Sequence, residues 1–122
     1  KACPRTTFIG HAPGFWREFD ADAPSRPEQY PEGPMTGEGR LQALMRRHEH
    51  LVADISAKSG LIALTRDPVY TRRFLIEFQD RVVFGRDKYG GDHQAFLDSL
   101  DLPSDVLGKL LWSNARRLLR LT

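Results

Sequence analysis

Leu51-Val52-Ala53-Asp54-Ile55 is the stretch that decides the fold: a short apolar run, β-branched at Val52 and Ile55, broken by one carboxylate. Two further runs, rich in β-branched or aromatic residues, stand on either side of it, Thr6 to Ile9 and Arg81 to Phe84. Runs of this length and composition predict three strands, each buried on both faces. Helical spacing lies between them: Leu41, Leu44 and Met45 mark a helix over about 39–47, and Val69, Phe74, Leu75 and Phe78 mark another over about 68–78. Pro68 suits a first helical turn, where its missing N–H costs little. After the third run come a helix near His93 to Leu100, a second from Ser104 as N-cap candidate to about Leu111, and a last one that Asn114 would cap, carrying Ala115, Leu118 and Leu119.

Strand–helix–strand order with crossovers of this length demands parallel neighbours joined right-handedly, so the fold class is α/β with three strand–helix units. Three buried parallel strands need helical cover on both faces and a partner at each edge. The sheet is therefore expected to be a cut from something larger. Pro13, Pro24, Pro27, Pro31 and Pro34 crowd one stretch with Gly14, Gly33, Gly37 and Gly39, which predicts a long irregular loop, either a lid or binding loop or a loose surface connection.

The chain has 122 residues, 40% hydrophobic and 28% charged, enough for one compact domain and not the composition of a disordered tail. Its net charge of +2 is small and interspersed, which points to neither nucleic acid nor an anionic membrane. The single Cys3 cannot close an internal disulfide, and no apolar run approaches the roughly 20 residues of a membrane span, so a cytoplasmic location is expected. The chain begins at Lys1 with no leader pattern, so the start of the gene product is expected upstream.

In parallel α/β folds, chemistry gathers where strands end. Gly10-His11-Ala12-Pro13-Gly14 follows the first run, Asp54 sits within the second ahead of Ser56 and Ser59, and Gly85-Arg86-Asp87-Lys88 follows the third. One His after a strand is commonly a hydrogen-bonded structural group, and one Asp after Gly a turn residue; recurrence on consecutive strands raises the functional reading. Imidazole and carboxylate both bind divalent ions such as Zn²⁺, and an Asp touching metal-bound water can take its proton. His11 and Asp87 are thus the candidate metal ligands and catalytic residues. A catalytic zinc wants about three protein ligands, so these two make half a site.

His48-Glu49-His50 has the form of a two-His ligand pair but precedes the second strand, remote from that end, and His93 reads first as a surface residue and second as one that reaches the mouth of the site. Arg116, Arg117 and Arg120 beside Trp112 read as the solvated face of a helix whose leucines face the core, against a nucleic-acid reading. No Gly-rich phosphate loop and no Gly-x-Ser-x-Gly elbow is present, so nucleotide binding and serine hydrolysis lack their local mechanics.

Taken in order, His11 within Phe8-Ile9-Gly10-His11-Ala12-Pro13-Gly14-Phe15-Trp16, Asp54 in Ala53-Asp54-Ile55-Ser56, Asp87 in Val83-Phe84-Gly85-Arg86-Asp87 and the closing Leu110-Leu111-Trp112-Ser113-Asn114-Ala115-Arg116-Arg117-Leu118 resemble the amidohydrolase superfamily. The nearest branch is the metal-dependent "amidohydrolase 2" proteins, related to aminocarboxymuconate-semialdehyde decarboxylase. The resemblance covers nearly all of residues 1–122 and only the C-terminal part of that family's (β/α)8 TIM barrel, strands six to eight. It implies that His11 ends the sixth strand as a catalytic or metal-associated residue. Asp54 would lie on the seventh strand, and Asp87 would end the eighth as metal ligand and proton acceptor. The family's His-x-His pair and its further His or Lys have no counterpart here, so the chain alone is expected to be inactive. Asp87 departs from the pattern in standing between Arg86 and Lys88, cations that favour its carboxylate form and could favour an anionic substrate.

The expected function is that of a metal-dependent hydrolase, with a divalent metal, zinc first, and a small-molecule substrate. Neither nucleic acid nor membrane is an expected partner, and a homo-oligomer is a further option. Decarboxylation on the same architecture is the first alternative, and a non-catalytic interaction module the second.

Overall fold

The computed structural model describes residues 3–23, 30 and 33–122. Strands β1 (Phe8–Gly10), β2 (Leu51–Asp54) and β3 (Val82–Val83) form one parallel sheet in the order β1-β2-β3. The crossover from β1 to β2 carries α1 (Ala12–Trp16), a 3₁₀ turn (Arg17–Phe19) and α2 (Arg40–Arg47). The crossover from β2 to β3 carries α3 (Lys58–Thr65) and α4 (Pro68–Glu77). After β3 come α5 (Asp92–Ser99) and a continuous helical run of α6 (Ser104–Gly108), a π-helical turn (Lys109–Ser113) and α7 (Asn114–Leu118).

The expected α/β order is therefore present, with short strands. β2 and β3 are buried as the apolar runs predict, Ala53 and Val82 completely. β1 is not: Phe8 is 54% and Ile9 50% exposed. The reason is its place at an edge, where one neighbour covers one side and none of the described residues covers the other.

Two helices lie where the sequence reading placed none. The Pro-rich stretch begins as helix, because Pro13 falls in the first turn of α1, where no backbone donor is needed. In α3 the buried positions are mostly small, Ser59, Gly60 and Ala63 beside Leu64, so no broad apolar stripe marks the helix in sequence. α4 matches its expected span, and Asp67 caps it by accepting from the Tyr70 N–H at 2.9 Å.

Trp16, Phe19, Phe74 and Phe78 form a run of tilted and edge-on rings with successive centroids 6.0, 5.0 and 5.1 Å apart. Edge-to-face pairs add about 0.5–1.5 kcal/mol each to simple burial. This run ties the first crossover to the second. The Pro/Gly excursion that leaves the 3₁₀ turn is tied at its neck by an antiparallel bridge between Asp20 and Glu38. There the buried Asp20 carboxylate accepts from the Thr36 hydroxyl at 2.7 Å and from Arg66 at 2.6 Å. A loose connection does not describe this neck. Pro24, Pro27 and Pro31 lie outside the described residues.

The two sheet edges differ. On β3 the carbonyl of Val82 and the N–H of Phe84 face away from β2. Asn114 Nδ2 donates to the first at 2.8 Å, and the second donates to the Leu110 carbonyl at 3.0 Å. Asn114 is accordingly buried as an edge clasp and caps no helix, which corrects its expected role. Ser104 likewise opens α6 without a side-chain cap, the N-cap being Pro103. The register of β1 turns Phe8 and Gly10 toward β2, so the Ile9 N–H and C=O face the open side. The closing helix also departs from a core-facing leucine stripe, since Leu119 is 61% exposed. Among the described residues no helix is long and apolar enough to cross a membrane.

Candidate functional site

Parallel register brings His11 and Asp54 together. Gly10 is opposite Ala53, so the residues that follow, His11 and Asp54, leave the carboxyl ends of adjacent strands side by side. His11 Nδ1 lies 3.0 Å from Asp54 Oδ2, with the imidazole 39% and the carboxylate 22% exposed. A carboxylate only accepts, so Nδ1 carries the hydrogen, and in the neutral ring Nε2 keeps its lone pair.

The surroundings fix both partners. The other carboxylate oxygen of Asp54, Oδ1, accepts from the Ser56 N–H at 2.8 Å, and its backbone carbonyl accepts from Trp16 Nε1 at 3.0 Å. The second bond sets α1 against the end of β2. Gly10 allows the chain to turn there, since a Cβ at that position would meet the Phe15 ring at 2.0 Å. Immediately after His11, Ala12 has φ of +69°, a left-handed conformation that costs a non-glycine residue about 1 kcal/mol or more. Backbone strain thus sits beside the imidazole.

Asp87 is elsewhere. It lies in the exposed loop after β3, makes no hydrogen bond to His11, and has no ion-pair partner among the described residues although Arg86 and Lys88 flank it. Lys88 reaches toward Asp92 at 4.0 Å, and the Arg86 guanidinium is turned to the Gly90 carbonyl at 3.5 Å. The sequence singles out His11 and Asp87; the contact that the fold makes is His11 with Asp54. Equal offsets from the ends of neighbouring strands were the signal for it, legible only once the register is known.

His93 is also placed differently from its surface expectation. It is buried at 7% exposure, on α5, with Nε2 3.0 Å from the Ala57 carbonyl. The opposite end of the sheet holds His48, Glu49 and His50, which with Cys3, Pro4 and Phe8 line a cleft of about 440 Å³. They are remote from the His11–Asp54 pair, as expected from their position before β2.

No family model, curated protein or solved structure matches this chain.

Metal-bound imidazoles are commonly oriented by a carboxylate on their other nitrogen, and His11 with Asp54 has that form. A catalytic zinc needs about three protein ligands, however, and among the described residues no group of three His, Cys, Asp or Glu side chains is placed to hold an ion. These residues do not amount to a metal site by themselves. What they supply is an oriented, partly exposed imidazole with a carboxylate behind it.

Proposed function

We propose that this chain forms the last three strand–helix units of a metal-dependent hydrolase barrel of the amidohydrolase type, acting on a small molecule. The observation that supports it most is the 3.0 Å pairing of His11 and Asp54 at the carboxyl ends of adjacent parallel strands. In this reading Asp54 holds His11 in one tautomer, and His11 Nε2 accepts a proton from water or substrate. Asp87, unpaired on the neighbouring loop, is free to serve as an acceptor or ligand once the remaining donors are brought in from outside residues 1–122. The open edge of β1 is ready to receive a preceding strand. Closure at β3 would require the bonds at Val82 and Phe84 to be exchanged for those of a strand.

Zinc titration tests this. Residues 1–122 alone should bind no stoichiometric ion, while the gene product carrying the preceding strand–helix units should bind one and lose it in Asp87→Ala. Metal content and turnover unchanged by both Asp87→Ala and His11→Ala would overturn the proposal.

The exposed Phe8 and Ile9 on an unpaired edge favour one further reading, a module that docks other chains without catalysis. A well-behaved, metal-free monomer in gel filtration, with the longer product also metal-free, would favour that module.

A further inference from the structure

The closing helix ends in a turn that gathers positive charge. The Leu121 N–H donates to the Arg116 carbonyl at 3.0 Å and the Arg120 N–H to the Arg117 carbonyl at 3.3 Å, the paired bonds of a Schellman end. Its left-handed position, where glycine is usual, is held by Arg120 at φ of +54°. Trp112, Arg116 and Arg120 follow at four-residue intervals with Ser113 and Arg117 beside them, and together with Leu121 they line an open cleft of about 460 Å³.

Three of these six lining residues are arginines and none is acidic. Among the described residues no carboxylate is within ion-pair reach of the three guanidinia; that of Asp80, near Arg117, is taken by Lys109 at 2.9 Å. They are not needed as caps either, because the Schellman bonds already answer the Arg116 and Arg117 carbonyls. Arg116 donates through Nε to the Leu121 carbonyl at 3.3 Å and sets its guanidinium 5.7 Å from the centre of the Trp112 ring. Arg117 donates to the Asp80 carbonyl, and the Arg120 side chain donates to none of the described residues. Arg116 and Arg117 suit the negative end of the helix dipole, but Arg120 lies past the last turn in a strained conformation and adds a like charge beside both. Asp80 precedes β3, so Arg117 places the cleft toward the amino ends of the strands, away from His11 and Asp54.

We infer that this cleft binds the phosphoryl group of a small phosphomonoester whose aromatic body rests on Trp112 and Leu121. A phosphomonoester presents three acceptor oxygens and close to two negative charges at neutral pH, against guanidinium forks whose geometry matches phosphate. A carboxylate carries one charge and two oxygens in one plane, and so answers fewer of these arginines. Trp112 and Leu121 are 56% and 59% exposed, which leaves them free to receive the body of the ligand. The volume is that of a small-molecule site, and a net charge of +2 supplies no wider basic surface for a nucleic acid. Binding here needs neither a metal nor the His11–Asp54 pair.

The test is NMR on the ¹⁵N-labelled full chain, titrated with sodium phosphate and then with phenyl phosphate, against sodium chloride at equal ionic strength. Saturable shifts of the Trp112 indole N–H are expected with both phosphates, at lower concentration with phenyl phosphate, while the Trp16 indole, bonded to the Asp54 carbonyl at the far end of the sheet, stays still. Arg120→Gly suits the left-handed position, so its melting temperature should hold or rise while binding weakens roughly tenfold, the loss of one charged contact. Arg120→Asn, also at ease with positive φ, should behave alike and keeps the test independent of glycine. Trp112→Leu should keep the phosphate affinity and lose the preference for phenyl phosphate. Equal shifts with chloride, no saturation, or unchanged affinity in both Arg120 variants would overturn the inference, and equal affinity for the two phosphates in the unaltered chain would overturn the assignment of the aromatic body. Binding of an oligothymidylate with neither small phosphate would overturn it in favour of a nucleic-acid surface. Zinc and turnover do not enter the titration, so its failure leaves the hydrolase reading untouched, and failure of that reading leaves the phosphate cleft standing.

Discussion

Replacing Asp54 by Asn should invert the His11 ring without unfolding the protein. Oδ1 of Asp54 is fixed by the Ser56 N–H at 2.8 Å, a donor that only an oxygen can answer. In Asp54→Asn the amide oxygen must stay there, which places the NH₂ where Oδ2 now faces His11 Nδ1 at 3.0 Å. Keeping hydrogen on Nδ1 would then set donor against donor and lose a hydrogen bond of about 1–1.5 kcal/mol, roughly tenfold in the tautomer ratio. Nε2 therefore changes from acceptor to donor. Because both side chains are partly exposed, the stability lost should stay below about 1 kcal/mol, a melting shift of a few degrees at most. Long-range ¹H–¹⁵N correlation spectra read the tautomer directly, and thermal melting reads the stability. In the proposed hydrolase, where Nε2 is the general base, turnover should fall by about 10²–10⁴. A variant that keeps Nδ1–H, or one that loses more than about 3 kcal/mol and so reveals the pair as a structural post, would refute the reasoning.

Asp20→Ala removes the carboxylate that joins Arg66 to the neck of the Pro/Gly excursion, with both side chains at least nine-tenths buried; the cost should be about 3–5 kcal/mol in chemical denaturation, and a loss under about 1 kcal/mol would show the clamp to be ornamental. Burial acts to raise the Asp20 carboxyl, but the hydroxyl and N–H of Thr36, the N–H of Asp22 and Arg66 outweigh it and hold it below the ordinary range. Its contribution should therefore be complete above about pH 4 and vanish as pH falls through the lowered folded value, and Asp20→Asn should flatten that acid limb of the stability profile. In hydrogen exchange the Phe84 amide, bonded to Leu110, should be protected, while the Ile9 amide, uncovered by the described residues, exchanges at the rate of local fraying; equal protection of the two would mean that β1 is already covered.

Several elements were legible in sequence because they are local. Apolar runs at 51–55 and 81–84 became β2 and β3, the spacing of Val69, Phe74, Leu75 and Phe78 became α4, and Pro68 opened that helix. The places where local reading failed are those where a partner distant in sequence decides. Phe8 and Ile9 read as buried but stand at an edge. Asn114 read as a cap but spends its amide on Gln79 and Val82 carbonyls more than 30 residues away. His93 read as surface, yet α5 turns it under Ala57.

The candidate site divides in the same way. Sequence order placed His11 and Asp54 at or just beyond strand ends, and Asp87 in a loop after a strand, because a strand's carboxyl end is visible as an apolar run giving way to Gly and charge. Which two of the three touch depends on the pairing of Gly10 with Ala53. A one-residue slip in a sheet sends a side chain to the other face, and no property of either strand alone reports the slip. Sequence by itself determined the α/β class and the chemistry available at the end of the sheet. Tertiary structure alone decided that His11 meets Asp54, that Asp87 stands apart beside Ser56 and His93, and that one sheet edge is clasped while the other is left uncovered by the described residues, since each depends on contacts whose geometry is set by packing across the whole chain.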